Sequence, residues 1–91
     1  MTEFIEDTNK EGDLVRVIWI DIVEADSGWH DKKEIEDLKP SKITSVGYVM
    51  KSTSHYLTIA GDKSTDDEDD LIGRCQVIPR GVILNIKKLE Q

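Results

Sequence analysis

The chain has little of what secreted, membrane or disulfide-bonded proteins need. Its single cysteine, Cys75, excludes an internal disulfide and fits a reducing compartment. No apolar run approaches the roughly 18 residues that span a membrane. The polar N-terminus also lacks the basic and apolar regions of a secretory signal. These absences predict a protein of the cytoplasm that is neither membrane-bound nor secreted.

Residues that could carry catalysis or hold a metal are equally scarce. The two histidines and one cysteine lack the paired spacing of a zinc site. Cys75 lies in an apolar run without a nucleophile signature and is expected to be buried and inert. The acidic run at residues 66–70 lacks the glycine turn and spaced ligands of a calcium loop. We therefore predict no catalytic residue, no metal and no cofactor, and a protein that is not an enzyme.

Acidic residues are abundant, but they are unevenly distributed. Residues 1–13 carry five acids and one lysine, and residues 62–70 carry six acids and one lysine. These two segments sum to −9, so the rest of a chain of net charge −7 is at +2. We predict a flexible acidic arm at 1–13 and one domain at 14–91, which contains a mobile acidic loop at 62–70. The overall negative charge disfavours a nucleic-acid partner, but it does not exclude one, since the acids are concentrated in the arm and the loop.

Five runs rich in β-branched residues predict five strands. The first, residues 14–23, is apolar on both faces and is expected to be either buried on two sides or wrapped in a small barrel. The others span residues 42–52, 55–61, 71–78 and 82–89, and the last should place Val82, Leu84 and Ile86 on one face.

The segment between the first two strands, residues 24–40, contains the signals of one short helix. Asp31 and Glu34 have the spacing of a capping box, and Pro40 stops the run. Trp29 is expected to cover one end of the fold, while Asp31 could orient the adjacent His30 imidazole.

Two further features favour a strongly bent sheet. Gly47 lies in the middle of a predicted strand, where a small barrel needs a bend. Pro79 ends the fourth strand, and we expect Gly81 to adopt a left-handed conformation in a corner that carries Arg80. The fold class is therefore mainly β: a small, strongly bent, five-stranded antiparallel barrel with one short helix.

Two segments resemble the sequence motifs of the Sm-like family. They are "GYVMKSTSHYLTI", residues 47–59, and "IPRGVILNI", residues 78–86. The wider run "VIWIDIV…GWHD…SVGYV…IPRGVI" is similar to small uncharacterised proteins of tailed phages. The resemblance implies an Sm-like, SH3-like barrel that joins edge to edge into a homo-oligomeric ring of about five to seven copies.

The resemblance also implies single-stranded RNA as the partner of the loop tips. Tyr56 takes the place of the family's base-reading asparagine and could stack a base, with Lys51 and Arg80 attracting phosphates. The candidate nucleic-acid-binding residues are Lys51, His55, Tyr56, Arg80 and Gly81. A purely structural role, in which Tyr56 packs over the rim, stays open. So does a second function, that of a phage-type accessory protein in the host cytoplasm that contacts a host or phage protein and binds no nucleic acid.

Overall fold

A computed structural model of the chain describes residues 9–65 and 70–90. It contains five antiparallel strands in one sheet, β1 to β5, and one short helix, α1, between β1 and β2. A single 3₁₀ turn, Arg80–Val82, joins β4 to β5. The elements are β1 Leu14–Asp21, α1 Lys32–Glu36, β2 Ser41–Ser52, β3 Tyr56–Lys63, β4 Ile72–Pro79 and β5 Ile83–Lys88. The predicted strand count and the short helix are confirmed, and no helix in the described ranges could span a membrane.

The sheet is open, with strand order β4-β3-β2-β1-β5. β4 and β5 therefore form its two edges, and the closure of the predicted barrel is not observed. β2 pairs with β1 through residues 41–48 and with β3 through residues 48–52, so it belongs to both halves of the sheet. Gly47 lies next to the point where the pairing of β2 passes from β1 to β3, and an added Cβ there would be 2.8 Å from the Ala60 carbonyl oxygen. This close approach of two strands explains the glycine.

One face of the sheet carries the core. Val15 and Val17 of β1 pack there against the other strands, and Trp19 lies at the margin with its Nε1 donating to Ser45 Oγ at 3.0 Å. No polar side chain is buried among the described residues. The buried cluster consists of Val15, Val17, Val49, Leu57, Ile59, Ile78, Ile83 and Ile86.

The predictions for the first and last strands need correction. β1 is buried on one side only, since Arg16 and Ile18 are half-exposed and Ile20 is exposed on the other. In β5 the buried residues are Ile83 and Ile86, whereas Leu84 is half-exposed. The cause is a register shift between Ile18 and Trp19 on β1, which breaks the two-residue alternation expected of β5.

Cys75 and Trp29 are both more exposed than the sequence predicted. Cys75 is exposed because it lies on the face of β4 opposite that of the buried Ile78, so the burial predicted for this thiol is wrong. Trp29 is 104% exposed, so it covers no part of the sheet, contrary to prediction.

The ends of the two acidic segments belong to the sheet. β3 continues to Lys63, and the Ser64 N–H donates to the Leu71 carbonyl at 2.9 Å. The predicted loop 62–70 is therefore shorter than expected, and its residues 66–69 lie outside the described residues. Residues 1–8 of the predicted arm also lie outside them. The end of that arm is anchored, because Gly12 and Asp13 exchange backbone hydrogen bonds of 2.7 Å with Val49.

Candidate nucleic-acid interface

The turn between β2 and β3 is organised by one hydroxyl group. Thr53 Oγ1 accepts hydrogen bonds from the N–H groups of His55 and Tyr56, at 3.1 and 3.0 Å. The Thr53 N–H donates to the Tyr56 carbonyl at 2.9 Å. In a short polar turn after a strand, a Thr hydroxyl can accept hydrogen bonds from nearby backbone N–H groups. The position of Thr53 in such a turn could therefore have indicated this role from the sequence. The Thr53 bonds fix the direction in which His55 and Tyr56 leave the turn.

Arg80 connects this turn to the corner between β4 and β5. Its Nε donates to the Thr53 carbonyl at 3.0 Å, and its Nη2 donates to Ser52 Oγ at 2.7 Å. Its backbone N–H donates to the His55 carbonyl at 2.9 Å. Arg80 is half-buried and its Nη1 is buried as well, so its main role is to hold the turn, and its charge acts on a ligand only from a distance.

Four of the five predicted site residues meet at this point, which we call the tip cluster: Lys51, His55, Tyr56 and Arg80. Lys51 Nζ lies 5.5 Å from the centre of the Tyr56 ring, at the outer limit of a cation–π contact. Lys51 and His55 are exposed, whereas Tyr56 is half-buried. The tip cluster thus combines an aromatic ring with cationic and titratable groups at one end of the sheet.

Gly81, the fifth predicted residue, does not have the conformation predicted for it. Within the described residues, the positive φ values belong to Gly12, at 93°, and Arg74, at 50°. Gly81 has no positive φ, and no atom lies within 4 Å of the point that a Cβ would occupy. The change of direction at this corner comes from Pro79 and the 3₁₀ turn.

The charge of the sheet differs in sign from that of its appendages. Residues 14–21, 41–61 and 71–91 contain seven basic and two acidic residues, a sum of +5. The connection between β1 and β2, residues 22–40, which we call the excursion, contains six acids and three lysines, a sum of −3. An anionic polymer is therefore attracted by the sheet and repelled by the excursion.

The excursion is held together by His30. Its Nδ1 lies 3.2 Å from Glu34 Oε2, and its Nε2 lies 3.2 Å from Asp26 Oδ1 and 3.0 Å from the Asp26 carbonyl. The Asp26 carbonyl, followed by the Glu34 carboxylate, raises the pKa of His30 above its ordinary value. The sequence suggested Asp31 as the partner of this imidazole, but Asp31 instead occupies the N-cap position of α1 without a side-chain cap bond.

A second ion pair stiffens the distal end of the β3–β4 hairpin. Arg74 donates from Nε to Asp62 Oδ2 at 2.7 Å and from Nη2 to Asp62 Oδ1 at 3.0 Å. These hydrogen bonds lower the pKa of Asp62. Beside them is an open cavity of about 420 Å³ between β2 and β4, lined by Thr44, Ser45, Val46, Gly61, Arg74, Cys75 and Gln76. Since Arg74 is already paired, this cavity has weaker anion-binding chemistry than the tip cluster.

In the described part of the chain, no three metal-ligating side chains are grouped so as to hold an ion. Comparison with protein-family models, curated proteins and solved structures finds no match to this chain. Its function is therefore argued from its own residues.

Proposed function

We propose that this chain is a non-enzymatic, Sm-like binding module that forms a homo-oligomeric ring and binds single-stranded nucleic acid at the tip cluster. The observation that carries the proposal is the set of hydrogen bonds made by Arg80. They join the segment 78–86 to the turn of segment 47–59, the two segments that resemble Sm-like motifs. A corner that holds a loop tip in place suits a binding site, since ordering the loop in advance lowers the entropic cost of binding.

The chemistry of the tip cluster supports a single-stranded ligand. The Tyr56 ring can stack on an unpaired base, while Lys51 and His55 lie within reach of the phosphates on either side. The positive sum of the sheet favours the approach of a polyanion.

The two free edges support assembly. Among the described strands, β4 pairs with β3 alone, and it exposes Val77 at 62% and Ile72 at 43%. β5 ends the sheet on the opposite side. Pairing of β4 from one copy with β5 from the next would extend the sheet head to tail, and a rotation between copies would close a ring.

The test of assembly is mass determination by light scattering at micromolar concentration. We expect an oligomer, and we expect Val77→Lys to weaken it by placing a charge on the edge strand. Thr65→Lys adds the same charge to an exposed position outside the strands and is the matched control. A monomeric native protein would contradict the assembly part of the proposal.

The test of binding is fluorescence anisotropy with labelled oligo-U and oligo-A at two salt concentrations. We expect salt-sensitive binding, and we expect Lys51→Ala to reduce the salt dependence by about one phosphate contact. Lys42→Ala, at the opposite end of β2, removes the same charge and should leave binding unchanged. Tyr56→Ala should weaken binding by about 1–3 kcal/mol if a base stacks on the ring.

A second candidate function, contact with a host or phage protein, is favoured by one observation. The excursion has five large apolar side chains that are between 40% and 104% exposed: Ile22, Val23, Trp29, Ile35 and Leu38. Absence of oligonucleotide binding at low salt would favour this function over the first.

A further inference from the structure

The excursion exposes apolar surface that a globular chain normally buries. Trp29 is 104% exposed and Ile22 is 77% exposed. Within the described residues, every position from 31 to 40 is also exposed, so α1 is not packed into the core. Tryptophan is a strong contributor to protein interfaces, and a group of uncovered apolar side chains commonly marks one.

A surface of opposite charge lies on the sheet, on the face away from the core. This outer face is formed by alternate residues of β5, β1 and β2. Arg16 lies directly between Val46 of β2 and Lys87 of β5, and Val46 is 52% exposed. The outer face consists of Arg16, Ile18, Ile20, Lys42, Thr44, Val46, Asn85 and Lys87. It combines apolar side chains with three cations and contains no carboxylate.

Arg16 indicates what this face lacks. Its Nε is buried and has no hydrogen-bond partner among the described residues. A second cation, Lys87, lies directly across the strand pair, and like charges in that position repel each other. A carboxylate placed beside the Arg16–Lys87 pair would relieve this repulsion.

We infer that the excursion of one copy docks on the outer face of a second copy. The excursion is apolar with a charge of −3, and the outer face is apolar with a charge of +3, so each supplies what the other lacks. Trp29 is fully exposed and so does not contact the outer face of its own chain, which leaves it available for a head-to-tail contact between identical chains. Trp29 packs against Ile18 and Val46, and acidic residues of the excursion lie beside Arg16 and Lys87.

The acidic surroundings of Trp29 argue against an oligonucleotide as the occupant of the excursion. Asp26, Asp31 and Glu34 are close to it in sequence and would repel phosphates. The docking contact requires neither nucleic acid nor pairing of the sheet edges, so it goes beyond the proposed function.

The first experiment follows Trp29 directly. In a Trp19→Phe background, Trp29 is the only tryptophan, and its emission is recorded over a concentration series alongside sedimentation equilibrium. We expect the emission to move to shorter wavelength as copies associate and to return when salt is added, because salt screens the charges. Emission that stays constant over a range in which sedimentation detects association overturns the inference, as does a blue-shifted emission that is independent of concentration.

The second experiment measures the contribution of the indole ring. Trp29→Ala should raise the dissociation constant about 30-fold or more, the change expected of an interface hot spot. Leu71→Ala, at a position 68% exposed just before β4, removes apolar surface elsewhere and is the control. Association that is weakened by Val77→Lys but unaffected by Trp29→Ala overturns the docking contact and leaves the proposed edge assembly standing.

The third experiment exchanges the charges. Lys42→Glu combined with Lys87→Glu should weaken self-association, and so should Glu24→Lys combined with Asp37→Lys. All four positions are exposed, and circular dichroism verifies that both variants are folded. Mixing the two should restore association between unlike copies, since one presents an acidic face and the other a basic excursion. Failure of the folded variants to associate on mixing overturns the inference.

Discussion

Gly47 and Gly81 have different surroundings, and alanine substitution at each position shows which of the two is required for stability. Gly47 has no room for a Cβ, which would lie 2.8 Å from the Ala60 carbonyl oxygen and 3.2 Å from the Ile59 Cβ. We expect Gly47→Ala to destabilise the protein by about 1–3 kcal/mol, the usual cost of overpacking. Urea denaturation measures the change.

Gly81→Ala is the matched control at the residue scale. No atom lies within 4 Å of its Cβ position and its φ is not positive, so the substitution should be neutral or slightly stabilising. The sequence predicted a strained backbone at Gly81, because residue type alone does not show whether a glycine is needed for its conformation or for a close contact between strands. Only the distance to the neighbouring strand, a tertiary property, distinguishes them. A larger loss of stability for Gly81→Ala than for Gly47→Ala would contradict this assignment.

His30 gives the second prediction for single residues. Its pKa is raised above the ordinary value of 6.5, so NMR titration should give a higher value than that. Asp26→Asn and Glu34→Gln should each lower the pKa, whereas Asp31→Asn should change it little, because Asp31 does not contact the ring in the described structure. An equal effect of all three variants would indicate general electrostatics in place of specific contacts.

The sign of the pH dependence follows from the raised pKa. The protonated imidazole has better partners in the folded excursion than in the unfolded chain. Its contribution to the order of the excursion is fully present below pH 6.5 and is lost as the pH rises through the raised pKa. Amide exchange in residues 26–34 should therefore be slower at acidic pH, after correction for intrinsic rates.

At the scale of elements, the excursion is separable from the sheet. Asp21 and Ser41 are partners across the β1–β2 pair, so a two-residue Asn-Gly turn can replace residues 22–40. All the replaced residues except His30 are exposed, and we expect the variant to retain its β circular dichroism and a cooperative thermal transition close to that of the native chain. A broad transition would show that the excursion supports the core.

The sequence predicted the excursion correctly only where its structure depends on neighbouring residues in the chain. Pro40 follows the region that contains α1, because proline acts on neighbouring backbone. Asp31 does lie at the N-cap, but it makes no side-chain cap bond, so the predicted capping box is not formed. The position of Trp29 depends on what the loop lies against, and no pattern within the loop records that. The same limit applies to Cys75, whose exposure depends on which face of β4 packs against the core.

At the scale of the whole molecule, the sequence predicts the number and positions of the strands better than it predicts whether the sheet closes into a barrel. Each hairpin is specified by its own residues, as β2–β3 is by Thr53. Whether β4 meets β5 depends on the cumulative twist and bend of all five strands. In the described structure the sheet stays open, with β4 and β5 as its edge strands.

The separation of charge between the sheet and its appendages leads to the last prediction. Replacing residues 65–70 with a Gly-Ser linker of equal length removes five carboxylates, which raises the net charge from −7 to −2. If the tip cluster binds single-stranded nucleic acid, this variant should bind more tightly, most visibly at low salt, because long-range repulsion is least screened there. A variant with residues 65–70 in reverse order keeps both length and charge, and its affinity should equal that of the native chain. Equal affinity of the Gly-Ser variant at low salt would show that these carboxylates lie too far from the bound strand to repel it.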